Sequence, residues 1–346
     1  MRAARLHAYG HPLVVEEVPI PEVEDQQVLV AVEGAGFCHS DLHVIDGEIR
    51  VLPRLPVTLG HENAGRVARV GRGVKTVREG DPVAVYGGWG CGLCDRCVTG
   101  YEQLCRTPRW AGLSEYDGGY AEYLLVPHER YLIRLERLEP RVAAPFTDAA
   151  LTSYRAIRKA LPHLTPGEWA LVIGVGGLGQ FGIKLLRLLT ASLIIAVDID
   201  EAKLALARHY GATYTFSGRE ADLVQKILDL TGGRGVAASF DFVGSDQTLA
   251  LALAVTDTMG KVTQLGLAGG TAAMRVLQNT RFEVQFEATL WGTIKELREV
   301  LALAEAGLLT PIDLEFYPLE AIHEVYARLK AGKIQGRAVI VPQPAG

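Results

Sequence analysis

Hydrophobic positions change rhythm twice along this chain. Over the first part they come in short β-branched runs: VLVAVEGAG at 28–36, AGRVARVG at 64–71, DPVAVYG at 81–87 and YAEYLLVP at 120–127. Gly, Pro and Asp cut these runs, as expected for short strands joined by turns. Near residue 148 the spacing becomes helical, in DAALTSYRAIRKAL at 148–161. Strand and helix patterns then alternate. WALVIGV (169–175), SLIIAVDID (192–200), ASFDFVG (238–244) and GKVTQLGL (260–267) read as buried strands. LGQFGIKLLRLLT (178–190), EAKLALARHYGA (201–212), ADLVQKILDLTGG (221–233) and TLALALAVT (248–256) read as helices. Such alternation with short connections predicts a doubly wound parallel sheet.

After that the texture is mixed again. KELREVLALAEAGLL and LEAIHEVYARLKAG read as helices and RAVIVP as a closing strand. This tail is too short for a domain of its own, so it is expected to pack back onto the first part. The predicted architecture is α/β, with one β-rich domain over 1–148 and 291–346 and a Rossmann domain over 149–290 inserted into it.

Within the inserted region, residues 174–179 read GVGGLG. The motif follows an apolar strand, opens a helix and precedes Asp198 at the end of the next strand. That context reads as a dinucleotide site. Gly174 permits the tight turn, Gly176 lets the backbone approach a pyrophosphate, and Gly179 allows close helix–strand packing, with Gly177 and Leu178 in the same turn. Asp198 can accept from both hydroxyls of an adenosine ribose and repel a 2′-phosphate, so NAD is expected over NADP.

Composition narrows the remaining classes. The 346 residues are 49% apolar and 22% charged, with net charge −5, which gives no sign of a nucleic-acid partner. No apolar run is long enough to span a bilayer, and the N-terminal stretch does not read as a secretory signal. A cytoplasmic protein is expected. Arg outnumbers Lys by about three to one, which fits a heat-tolerant source.

The cysteines carry the second chemical signal. Cys91, Cys94, Cys97 and Cys105 lie in CGLCDRCVTGYEQLC, spaced C-x2-C-x2-C-x7-C. Four thiolates can close a tetrahedron around one Zn2+, which is a structural site. The fifth cysteine, Cys38 in GFCHSD, needs other partners to hold an ion, and spacing alone does not select them.

A resemblance does. G-H-E-x2-G-x5-G-x2-V is met by Gly60, His61, Glu62, Gly65, Gly71 and Val74. With CHSD at 38–41, the four-cysteine lobe and GVGGLG in order, the chain resembles the zinc-dependent alcohol dehydrogenases of the medium-chain dehydrogenase/reductase superfamily over essentially its whole length. Through WGCGxC, PxTDAxLTxY and VIGVGGLG it is most similar to bacterial members acting on secondary alcohols. The resemblance implies a GroES-like β-rich catalytic domain beside the Rossmann sheet. It implies two zinc ions per subunit, NAD, and reversible oxidation of alcohols to aldehydes or ketones. Hydride passes to C4 of the nicotinamide while zinc acts as a Lewis acid.

By the same resemblance Cys38 and His61 are catalytic-zinc ligands and Glu62 is a carboxylate that binds the ion transiently. The third permanent ligand is often a second cysteine. Here Asp148 stands at the matching place, and an aspartate is a legitimate zinc ligand. Asp148 can also cap the helix beginning near Ala149. Ser40 is expected to pass the substrate proton through the nicotinamide ribose to His43 and so to solvent. Further contacts are implied for His39 at the pyrophosphate, Lys203 at the adenosine ribose and Arg337 at a phosphate, with Val243, Gly266, Leu267, Trp291 and Thr293 lining the nicotinamide. The partners implied are a small alcohol or ketone and further copies of the chain, as a homotetramer or a dimer. A polyol or threonine dehydrogenase of the same superfamily is the nearest alternative.

Overall fold

A computed structural model describes residues 1–343; residues 344–346, which end the segment assigned to the catalytic domain, lie outside the described residues. The chain forms two compact units, Met1–Leu151 with Trp291–Gly346, and Thr152–Leu290.

In the second unit six parallel strands are ordered Tyr214–Ser217, Leu193–Asp198, Trp169–Ile173, Val236–Asp241, Thr256–Gln264 and Gln285–Ala288. Numbered along the chain this is 3-2-1-4-5-6, the dinucleotide-binding order. The central strands WALVI and LIIAVD are apolar up to Asp198 at the end of the second, as expected for strands buried on both faces of a parallel sheet. Leu171, Ile173, Ile195, Val197, Ile227, Leu253 and Val262 meet in one core cluster. Burying each such side chain contributes about 1.5–3 kcal/mol.

Local signals set the helix ends. Asp200 accepts from the amide of Ala202 at 2.8 Å and opens the helix Glu201–Tyr210, which stops at Gly211. Ser245 and Thr248 form a capping box for Asp246–Val255. Within this unit two strands have no counterpart in the sequence reading, Tyr214–Ser217 and Gln285–Ala288, and both are sheet edges.

In the first unit a seven-stranded sheet runs Leu314–Pro318, Arg337–Val341, Val28–Gly36, Glu62–Val70, Pro82–Val85 and Leu132–Arg134, with Tyr123–Val126 also paired to Val28–Gly36. The C-terminal strand joins this sheet antiparallel to Val28–Gly36, with Val339 opposite Gly36. A small sheet of Val14–Glu17, Arg2–Leu6 and Val57–Thr58 stands beside it in the chain order.

One register positions the chemistry. Val28–Gly36 and Glu62–Val70 are antiparallel neighbours with Gly36 opposite Glu62. Cys38 follows the end of one strand and His61 precedes the start of the other, so the pairing brings them together. A 3-10 turn, Ala144–Thr147, packs against Glu62–Val70 and delivers Asp148 to the same place.

Candidate functional site

Cys38, His61, Glu62 and Asp148 each offer one donor atom, and these atoms all lie within 4.8 Å of one another. All four residues are buried. His61 Nε2 lies 3.4 Å from Asp148 Oδ2. Nitrogen and oxygen donors about 2.0–2.1 Å from one zinc ion stand about 3.3–3.4 Å apart at tetrahedral corners. The side chains therefore have both the chemistry and the spacing for a zinc ion. The amide of Ala149, first in its helix, donates to Glu62 Oε1 at 3.1 Å.

The other nitrogen of His61 faces a residue that the sequence reading did not use. His61 Nδ1 is 3.3 Å from Asp41 Oδ1, and Asp41 is fully buried. Asp41 Oδ2 accepts from the amide of Cys38 at 3.0 Å and from the Tyr120 hydroxyl at 2.7 Å. A carboxylate behind a ligating imidazole fixes its tautomer and orientation. The signal available in the sequence was the i+3 spacing of Asp41 from Cys38, an ordinary capping box.

Electrostatics at this centre are dense. Burial works against a charged His61 ring, but Asp41 and Asp148 outweigh it and raise the ring well above the usual histidine range. Burial pushes Glu62 up to about 7, against the pull of the Arg337 guanidinium.

That guanidinium has a partner the sequence reading did not foresee. Arg337 was expected at a phosphate. Instead it is buried, with Nε donating to Glu62 Oε2 at 2.9 Å and Nη2 donating to Glu62 Oε1. Its strand lies next to Val28–Gly36, whose last residue is opposite Glu62, so the side chain points inward along the sheet. A buried carboxylate left without such a partner would be costly.

Around the centre, Ser40 Oγ is 3.7 Å from Cys38 Sγ. His43, one turn on in the helix His39–Ile45, has Nδ1 2.5 Å from Glu48 Oε2. His39 opens that helix and is exposed. Trp291 is buried, with its ring edge-on to His61 at 5.7 Å and to Trp110 at 5.8 Å. Thr293 has its hydroxyl occupied as the N-cap of Ile294–Glu305, accepting from the amide of Glu296 at 3.1 Å. Its expected contact with the nicotinamide cannot use that cap lone pair.

The four cysteines of the lobe meet the same kind of test. Sγ–Sγ separations are 3.9 Å for Cys91–Cys97, 3.5 Å for Cys94–Cys97 and 3.8 Å for Cys94–Cys105. Sulfurs about 2.3 Å from one zinc ion stand about 3.8 Å apart at tetrahedral corners. Backbone amides also point at the sulfurs: Cys91 Sγ accepts from Cys94 at 3.3 Å and Cys105 Sγ from Cys91 at 3.2 Å. The backbone amides of Arg106 and Cys97 bring Cys94 down to about 6, whereas burial pushes Cys97 up to about 12.

In the second unit the glycine turn has the shape a dinucleotide needs. Gly174 has φ +86°, reserved in practice for glycine, and a Cβ there would lie 2.6 Å from Val243. A Cβ on Gly179 would lie 1.9 Å from the Gly174 carbonyl, while one on Gly176 would meet nothing within 4 Å. Gly176 is thus the open face of the turn, at the start of the helix Gly177–Leu189, and Leu178 lies in that first turn. Free amides at such a terminus suit an anion. Asp198 ends its strand, accepting from the amides of Val175 at 2.7 Å and Asp200 at 3.0 Å. Lys203 is in the first turn of the next helix. Gly266 packs on the Val243 backbone and Leu267 is exposed.

Two family models match, "Alcohol dehydrogenase GroES-like domain" over residues 24–137 and "Zinc-binding dehydrogenase" over residues 177–306. An NAD-dependent alcohol dehydrogenase of Sulfurisphaera tokodaii is 41% identical, across 99% of this chain and 100% of its own. A D-arabinose 1-dehydrogenase (NADP(+)) of Saccharolobus solfataricus is 34% identical, across 99% of this chain and 97% of its own. The crystal structure of the alcohol dehydrogenase from the hyperthermophilic archaeon Aeropyrum pernix superposes with a TM-score of 0.92 at 37% identity, covering 99% of this chain and 100% of that one. On that likeness, sustained from end to end, the chain belongs to the zinc-dependent alcohol dehydrogenases of the medium-chain dehydrogenase/reductase superfamily.

Proposed function

We propose that the protein is an NAD-dependent alcohol dehydrogenase with one catalytic and one structural zinc ion per chain. The convergence of Cys38, His61 and Asp148 donor atoms carries this reading. When bound, zinc supplies a Lewis acid for the alcohol oxygen and NAD supplies the hydride acceptor. Cys38, His61 and Asp148 hold the ion, with Glu62 close by and restrained by Arg337. With two anionic ligands, the site's formal charge with Zn2+ sums to zero.

Ser40 takes the substrate proton and His43 carries it outward. Ser40 sits beside the Cys38 sulfur, and His43 is half-buried against the exposed Glu48, so the pair leads from a buried position towards solvent. His39, Lys203, Val243, Gly266 and Leu267 are assigned to the cofactor with the turn at 174–179 and Asp198. Trp291 and Trp110 wall the space beside His61, which favours medium-sized apolar alcohols over sugars. The D-arabinose-oxidising relative keeps a polyol or sugar substrate as the second reading.

We place the enzyme in the cytoplasm. No disulfide joins any of the five cysteines, which fits a reducing compartment. No helix among the described residues is long and apolar enough to cross a membrane. A tetramer built from dimers is supported by exposed Met274, Val276, Leu277 and Phe286 at and near the edge strand Gln285–Ala288. Heat tolerance fits the hyperthermophilic origin of the structural relative.

The deciding experiment is NAD reduction with 2-alkanols, sorbitol, D-arabinose and threonine, alongside zinc content per chain. Two zinc ions with fastest turnover on 2-alkanols support the proposal. Preference for a sugar or polyol installs the second reading, and turnover untouched by catalytic-zinc removal rejects both.

A further inference from the structure

We propose that Tyr120 is a positioning residue of the catalytic metal centre: it fixes Asp41, and through Asp41 the ring of His61, while clamping the two turns that carry Cys38 and His61. This rests on the reading of Cys38, His61 and Asp148 as zinc ligands.

The hydroxyl acts first. Tyr120 is fully buried, and its O–H donates to Asp41 Oδ2 at 2.7 Å, with the Gly36 carbonyl further off at 3.2 Å. The shorter contact, to a charged acceptor, is the stronger. With the Cys38 amide at 3.0 Å, Oδ2 then has two donors. That leaves Oδ1 for His61 Nδ1 at 3.3 Å, and neither of those two atoms has a regular hydrogen-bond partner among the described residues. A buried carboxylate oxygen and a buried ring nitrogen left facing each other select one tautomer, with the proton on Nδ1. Nε2 is thereby free for a cation, on the side where Asp148 stands.

Ring packing supplies an independent argument. The Tyr120 ring stacks on Phe37 at 5.2 Å and 11°. On another side it closes on Gly60, which has φ +99° and where a Cβ would lie 2.7 Å from the ring. The Tyr120 amide donates to the Leu59 carbonyl at 2.9 Å. Phe37 immediately precedes Cys38, and Gly60 immediately precedes His61. One aromatic ring therefore touches the residue before each of two ligands, and its rigid thickness helps set the distance between their turns.

Tyr120→Phe tests the hydroxyl alone, since the ring stays. Zinc transfer to a chromophoric chelator is followed from the two-zinc protein, and the visible spectrum is taken after cobalt replaces the catalytic ion. Zinc loss from the catalytic centre is expected to accelerate about tenfold, in line with the loss of other supporting contacts to metal ligands. The cobalt bands should shift, while zinc loss from the four-cysteine lobe stays at the wild-type rate. A purely structural role would move the melting temperature and both zinc phases together. Asp41→Asn should accelerate the same phase, and Tyr120→Phe added to it should accelerate it little further. An unchanged catalytic phase with an unchanged cobalt spectrum in Tyr120→Phe overturns the proposal while leaving the zinc reading intact. A wild-type protein that binds only the lobe ion removes both.

Discussion

Nε2 of His61 and Oδ2 of Asp148 face each other 3.4 Å apart, although their positions in the chain lie far apart and share no local pattern. That distance matches an edge of a zinc tetrahedron. Asp148→Asn keeps the shape of the side chain and removes its charge. Zinc content should fall from two ions per chain to one, with activity lost in proportion, as elemental analysis beside a turnover assay will show. Retention of both ions would return Asp148 to the status of a neighbour.

Protons and zinc compete for the same imidazole. In the metal-free centre, Asp41 and Asp148 overcome the effect of burial and hold His61 well above its usual range. The proton is bound in the metal-free state and expelled in the metal-bound one, so zinc affinity must rise with pH until the raised pKa is passed. Below that raised value the ring holds its proton, so the competition acts across the whole range up to it. Zinc release to a chelator between about pH 5 and 8 should therefore be fastest at the acid end.

Arg337 holds a buried negative charge in check. Arg337→Met leaves Glu62 enclosed with no cation against it, a change that costs about 3–5 kcal/mol. The pH dependence has a definite sign. Glu62 is raised from 4.5 to about 7 by burial, so its folded-state preference is for the proton. Stability from that group is present at low pH and lost as pH rises through about 7. Without Arg337 the Glu62 pKa rises further, so the decline extends to higher pH. Denaturant unfolding at pH 6 and pH 9 should show the variant's deficit larger at pH 9, with Glu62→Gln in the same chain restoring part of it.

Asp198 governs which dinucleotide fits. Its carboxylate is oriented by the Val175 and Asp200 amides at the end of its strand, while Arg219 donates to the Ile199 carbonyl at 3.4 Å. Asp198→Ser removes a charged acceptor, which should lower kcat/KM for NAD roughly 10- to 100-fold. Selectivity against NADP should fall further, because a repelling charge goes while an arginine beside the same turn stays. Paired kinetics with the two cofactors measure this; an unaltered ratio would mean that the carboxylate does not face the ribose.

Legibility in the sequence followed the range of the forces involved. Val28–Gly36 could be bounded from its β-branched run, and Trp169–Ile173 from its unbroken apolarity, because burial dictates both patterns. Tyr214–Ser217 and Gln285–Ala288 were not visible: as sheet edges they stay partly exposed and carry mixed residues. At the metal centre, the local spacing of CHSD and GHE was readable once the resemblance supplied its meaning. Asp41, Tyr120 and the Glu62–Arg337 pair were not, since each depends on which strands become neighbours. Arg337 illustrates the limit. Its charge is obvious in the chain, but only the register beside Val28–Gly36 shows that it faces inward.

The two cysteine-bearing centres also differ in when they can exist. Every sulfur of the lobe lies between Cys91 and Cys105, so a nascent chain has the whole set as soon as that short stretch leaves the ribosome. The other centre waits for Asp148, and its Glu62 stays uncompensated until Arg337, far downstream, has emerged. Chain position would thus order metal loading: an ion in the lobe could guide folding, whereas one at the other centre would have to wait for residues much later in the chain.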